Sequence, residues 1–91
     1  MTKNKSYALT IKKDARKTLL ELQPKFFKQV IKKILLLMEE PRPQDYKPLE
    51  GYPGYYRVDQ GEYRILYKIL ESEVEIFRVG KRNDDEVYQN L

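Results

Sequence analysis

Apolar and polar positions along the chain change period several times, and each change marks an element. Tyr7, Leu9 and Ile11 alternate with mostly polar neighbours, which predicts a short strand over Ser6–Ile11. From Lys12 to Leu22 the period becomes helical: Ala15, Leu19 and Leu22 recur at i, i+4 and i+7, with basic residues between them. Gln23-Pro24 interrupts this, and proline suits the first turn of a new helix because its missing N–H would be unpaired there anyway. A second helix is expected over Pro24–Glu40. Its apolar face would carry Phe27, Val30, Ile31, Ile34, Leu35 and Met38, with Lys25, Lys28, Lys32 and Lys33 turned away. So short a join predicts an antiparallel helical hairpin.

Glu39-Glu40-Pro41-Arg42-Pro43 ends that helix, and the Pro- and Gly-rich stretch up to Gly54 reads as a loop. Three strands follow, over Tyr55–Asp59, Glu62–Leu70 and Glu73–Gly80, with turns at Gln60-Gly61 and Glu71-Ser72. Ile65, Tyr67 and Ile69 would face one side, and Arg64, Leu66 and Lys68 the other. In the last strand Phe77 and Val79 are expected on the core face, with Arg78 pointing away. The tail from Asn83 to Leu91 predicts a short helix, since Asn83 followed by Glu86 has capping-box spacing. Val87 and Leu91 would anchor that helix and Tyr88 would project from it. The order is β-α-α-β-β-β with a short C-terminal helix. It predicts an α+β domain, residues 1–91, whose helical hairpin covers one face of an antiparallel meander joined by the N-terminal strand.

Composition narrows the chemistry. The 91 residues contain no Cys and no His, which removes disulfides, thiolates, the usual neutral-pH base and the commonest metal ligand. Catalysis would run on Lys, Arg, Tyr or carboxylates. The polar, lysine-rich N-terminus does not read as a signal peptide. The longest apolar run, Ile34–Met38, falls far short of the roughly 20 residues that span a bilayer. A cytoplasmic protein with no membrane partner is expected. The net charge is +4, unevenly spread: ten Lys and Arg against two acidic residues up to Met38, then eight against twelve. A first half at +8 has the charge of a polyanion-binding surface, or of a solvated helical face that confers solubility.

On the meander, the strand positions turned away from the core are Tyr55, Arg57 and Asp59, then Arg64, Leu66 and Lys68, then Arg78, with Lys81-Arg82 beyond. Cross-strand neighbours share a face, so Arg57, Arg64, Arg78 and Arg82 are expected on or near one surface. Arginine suits bidentate phosphate contact and stays charged at any relevant pH. The alternative is that each pairs with a nearby carboxylate, Asp59, Glu62, Glu73 or Glu75. Tyr55, Tyr56 and Tyr63 lie beside these arginines as stacking candidates, with one or two of them in the core instead.

The stretch Lys47-Pro48-Leu49-Glu50-Gly51 followed by Tyr55-Tyr56-Arg57-Val58 resembles the K-x-L-x-G…Y-R-[VI] run of RelE-like toxins. Gly61-Glu62-Tyr63-Arg64-Ile65-Leu66-Tyr67 is similar to their G-x-Y-R strand, and Val79-Gly80-Lys81-Arg82 with Glu86-Val87-Tyr88 to their V-G-x-R…V-Y ending. The ordered set covers nearly the whole chain. The resemblance implies the toxin of a toxin–antitoxin pair, a ribosome-dependent, metal-independent ribonuclease that cuts A-site codons of mRNA by attack of a 2′-OH on the adjacent phosphate. It implies catalytic positions for Arg57, Arg64, Arg82 and Tyr88. Arg64 would hold the scissile phosphate, Arg82 stabilise the leaving oxygen, and Tyr88 align the nucleotide. Tyr titrates near about 10 and Arg above about 12, which favours electrostatic over proton-transfer roles. Lys47, Arg78, Lys81, Lys25, Lys28, Lys32 and Lys33 would contact mRNA or rRNA. A RelB-like antitoxin is the implied partner. At Asp59 many relatives carry a lysine instead. Two alternatives share the scaffold: a ParE-like gyrase inhibitor, and a catalytically weak RNA- or protein-binding module.

Overall fold

The computed structural model describes residues 6–83 and Tyr88. The elements are β1 (Ala8–Ile11), α1 (Lys13–Glu21), α2 (Pro24–Leu37), β2 (Lys47–Pro48), β3 (Tyr55–Gln60), β4 (Tyr63–Ile69) and β5 (Glu73–Lys81). The α+β class and element order follow the sequence pattern. One strand, β2, lies inside the stretch expected to be loop. It is only two residues long and pairs antiparallel with β3 through Lys47–Arg57 and Pro48–Tyr56, too short for any periodicity to register. The predicted terminal helix and its Asn83/Glu86 cap, with Val87 and Leu91, lie outside the described residues apart from Asn83 and Tyr88.

The strands form one mixed sheet in the order β1-β5-β4-β3-β2, with β1 parallel to β5 and the other neighbours antiparallel. A parallel neighbour needs a long crossover, and here the two helices and the meander separate β1 from β5. The helices cover one face. Ala15 and Leu19 of α1, Val30, Ile34 and Leu37 of α2, and Val58, Ile65, Tyr67, Val74, Ile76 and Val79 of the sheet form the main core. Tyr7, Leu9 and Ile11 pack against it, as the alternation predicts. Tyr67 is fully buried and donates its hydroxyl to the carbonyl of Pro41 (2.7 Å), fixing the chain where it leaves α2. Burial pushes the Tyr67 pKa up.

Two details of patterning differ from expectation. On α2 the buried stripe is Phe26, Val30, Ile34 and Leu37, whereas Phe27 and Leu35 are exposed. This helix is apolar around much of its circumference, so spacing alone fits more than one face; contact with the sheet selects the stripe. On β5, Leu66 stands opposite Arg78 and Tyr67 opposite Ile76, which leaves Phe77 as an extra residue in a β-bulge. Strict alternation from Val74 and Ile76 would drive Arg78 into the core. The bulge resets the phase, so Val79 returns to the core and Arg78 shares the face of Leu66. Phe77 goes with it, packing on Leu66, Leu49 and Tyr55 rather than beside Val79.

Candidate functional site

The uncovered face of the sheet holds a small apolar cluster, Leu49 and Leu66, with Tyr55, Phe77 and Tyr88 packed against it. Leu49 comes from the loop after β2, whose turns use Gly51 and Gly54 at φ of 82° and 86°, a region that favours glycine. Beside the cluster stands a group of charges. Asp59 and Arg64 are directly opposite on β3 and β4. Arg64 grips the carboxylate with both arms of its fork, Nε to Oδ1 at 2.7 Å and Nη2 to Oδ2 at 3.2 Å. Its remaining arm donates from Nη1 to the Tyr88 hydroxyl at 2.6 Å. Arg82 Nε lies 3.4 Å from Asp59 Oδ2, and Arg57 Nη1 lies 3.9 Å from the same oxygen. Arg82 is held from the other side by the Gly61 carbonyl (3.3 Å), which the tight turn between β3 and β4 presents.

Three guanidinium groups thus converge on one carboxylate. Partial burial alone would raise the pKa of Asp59. The hydrogen bond from Arg64 and the charges of Arg64, Arg82 and Arg57 outweigh it, and the net direction is down. Arg64 moves up, chiefly through its hydrogen bond to Asp59, against burial and with help from Tyr88. Asp59 therefore stays ionised and is a poor proton acceptor. Arg64 is the most enclosed of the three, at 15 % side-chain exposure, while Arg82, at 52 %, is the most open to a ligand. Next to them Arg57, Tyr88 and Tyr52 line a cleft of about 360 Å³ with Pro48, Leu49 and Glu50.

The structure brings Arg57, Arg64, Arg82 and Tyr88 together, and Lys47 joins them as the cross-strand neighbour of Arg57. It does not bring all the expected residues there. Arg78 shares the face but lies beyond Leu66, where its Nη2 is 3.7 Å from Asp14 Oδ2 of α1. Lys81 falls opposite Tyr63, whose ring packs on Phe26 on the helix side, so register places it on the other face. Lys33 is bound to Asp45 at 3.2 Å; Lys25, Lys28 and Lys32 are exposed on α2. Of the tyrosines, Tyr56 and Tyr63 belong to the core and Tyr55 to the open face. The sequence marked Asp59 as one of four carboxylates able to pair with an arginine and as a place where many relatives carry a lysine, but not as the point on which three arginines converge. Its signal was the position two residues after Arg57 and opposite Arg64 across a tight turn. Among the described residues no group of three His, Cys, Asp or Glu side chains is placed to hold a metal ion, and no helix is long and apolar enough to cross a membrane.

This is a small α+β scaffold with an arginine-rich site on the open face of its sheet. Residues 7–86 match the family described as ParE toxin of type II toxin-antitoxin system, parDE. The chain belongs to the RelE/ParE superfamily of toxins of type II toxin–antitoxin systems. It is similar in structure to the toxin–antitoxin complex RelBE2 of Mycobacterium tuberculosis, with 31 % identity, a TM-score of 0.77, and 92 % of this chain and 100 % of that chain covered. The isolated E. coli RelE toxin aligns at 29 % identity and a TM-score of 0.75, covering 91 % and 92 % of the two chains. The archaeal RelE–RelB complex of Pyrococcus horikoshii aligns at 26 % and 0.74, covering 86 % and 97 %. No curated protein sequence matches the chain significantly.

Proposed function

We propose that this toxin is a ribosome-dependent, metal-independent endoribonuclease that cuts mRNA in the A site. The observation that carries this reading is the convergence of Arg57, Arg64 and Arg82 beside the Tyr88 hydroxyl. In the reaction, the 2′ oxygen bonds to the adjacent phosphorus and gives up its proton, the bond to the 5′ oxygen breaks, and that oxygen gains a proton. Extra negative charge builds on the phosphate and then on the leaving oxygen, and fixed cations stabilise it. Arg64 and Arg57 would hold the non-bridging oxygens, and exposed Arg82 would face the leaving oxygen. Tyr88, braced by Arg64, would orient the nucleotide. Asp59, with its pKa lowered, suits holding the arginines in place rather than taking the 2′ proton. Positioning by the ribosome supplies the remainder. Lys47 beside Arg57, and Lys25, Lys28 and Lys32 on α2, would meet mRNA and rRNA phosphates.

The reading implies a cytoplasmic protein and a RelB-like antitoxin that neutralises it. Structural relatives solved as RelB–RelE complexes support that partner. The basic surface suits an acidic segment that associates fast and in a salt-sensitive way. Primer extension on mRNA translated with and without the toxin tests the activity: cuts inside codons, appearing only with ribosomes, are expected. The family-model match favours one second reading, a gyrase inhibitor. Inhibited supercoiling by purified gyrase, with no cleavage of ribosome-bound mRNA, would establish it instead.

A further inference from the structure

A second cleft opens on the same face of the sheet, toward β1 and the start of α1, with a volume of about 330 Å³. Four cations line it: Lys12, Lys13, Lys68 and Arg78. Two carboxylates, Asp14 and Glu75, do not balance them, and the Asp14 side chain is itself 70 % exposed. The walls also carry two rings. Tyr55 and Phe77 meet edge to face, 5.0 Å between centroids at 80°, and the Lys68 ammonium lies 5.0 Å from the Tyr55 centroid. Phe77 faces this cleft because the β5 bulge turns it there. Tyr55 and Phe77 belong to the same apolar cluster as Tyr88, so a single hydrophobic ridge separates this cleft from the three arginines. The Asp59–Arg64 and Tyr55–Lys68 pairs are four residues apart along β3, roughly 13 Å at strand rise.

Partly exposed rings flanked by surplus cations match what single-stranded nucleic acid offers, a planar base and a phosphate for each nucleotide. A duplex hides its base faces. We propose that this cleft is a second RNA subsite, which holds the base and phosphate of an unpaired nucleotide flanking the one cut at Arg64. The proposal rests on the nuclease reading and extends it: one strand would cross both clefts over the ridge of Tyr55, Phe77 and Tyr88, and the reach of the toxin along mRNA would be set here.

The test uses uncleavable 2′-O-methyl RNA, a trimer and an octamer, titrated against the purified toxin. The wild-type protein is expected to bind the octamer at least about tenfold more tightly than the trimer. The double substitution Lys13→Gln, Lys68→Gln should abolish that gain, leave trimer affinity unchanged, and reduce the salt slope for the octamer by about 1.4. Tyr55→Leu keeps an apolar side chain on Leu66 and should lose the length gain with little change in the salt slope. Circular dichroism melting of each variant confirms folding. On ribosomes both variants should raise KM and spare kcat. An unchanged length gain in folded variants overturns the subsite while the nuclease reading stands. Unchanged RNA binding with weakened binding of a polyglutamate peptide would assign the cleft to a protein partner instead. If the wild-type toxin neither binds RNA of either length nor cuts ribosome-bound mRNA, both readings fall.

Discussion

The two faces of the sheet share β3, β4 and β5, yet they are held in opposite ways. On the covered face every central position is apolar and nearly every side chain is sealed under the helices; its stability comes from area removed from water and is spread over a dozen residues. On the open face the apolar cluster is small, and order comes from one carboxylate that binds three arginines. Without Asp59 these guanidinium groups would repel one another; with it, they stand ready around a point where negative charge is welcome. The core of the covered face takes a polar group where it is bonded, as the Tyr67 hydroxyl is to Pro41, while the open face stores like charge against a local counter-ion.

Substitutions that separate stability from activity test this contrast. The largest effect is expected at Ile34, fully buried at the helix–sheet contact. Ile34→Ala should cost about 2 to 5 kcal/mol in chemical denaturation while leaving RNA affinity of the folded protein unchanged. Arg64→Ala should do the reverse: cleavage of ribosome-bound mRNA falls by about 100-fold or more, and the loss of stability is smaller than that of Ile34→Ala. Asp59→Asn splits the two properties within one side chain. It should lower stability by about 1 to 2 kcal/mol, through the weakened grip of Arg64, and raise affinity for RNA, because three cations keep their charge and lose their counter-ion. If RNA affinity instead falls with Asp59→Asn, the carboxylate is a scaffold the ligand needs rather than a counter-ion it replaces.

Tyr67→Phe leaves the Pro41 carbonyl without its buried donor and should cost about 1 kcal/mol with activity intact. The smallest effect concerns pH. The folded pKa of Asp59 lies below its unfolded value, so its stabilising contribution is complete above the ordinary carboxylate pKa of about 3.9 and is lost as pH falls through the folded value. The stability curves of wild type and Asp59→Asn should therefore converge below about pH 4. Curves that stay parallel would show that Asp59 contributes nothing through its charge.

Much of this molecule was legible in the chain. Local period marks elements wherever one face is wet and the other dry, which is why β1, α1, β3 and β4 emerge from alternation and spacing. The Arg57, Arg64, Arg82 and Tyr88 positions also stood out, because alternation assigns the open face and ordered motifs resemble a known family. The failures have a common cause. Where a segment is apolar on several sides, as in α2, or where one extra residue shifts the phase, as at Phe77, local pattern no longer specifies direction. The run Val74, Ile76, Val79 already contains that phase shift.

The sequence by itself determined the α+β class, the order of elements and the residue types available for chemistry, since these depend on local period and composition. Tertiary structure alone decided which arginines meet. Arg57, Arg64 and Arg82 converge because β3 and β4 pair in the register that sets Asp59 opposite Arg64 and the turn at Gly61 anchors Arg82. Arg78 departs to Asp14 because the β5 bulge and the β1–β5 pairing carry it toward α1. Register and strand order are contacts between residues far apart in the chain, and no local pattern encodes them.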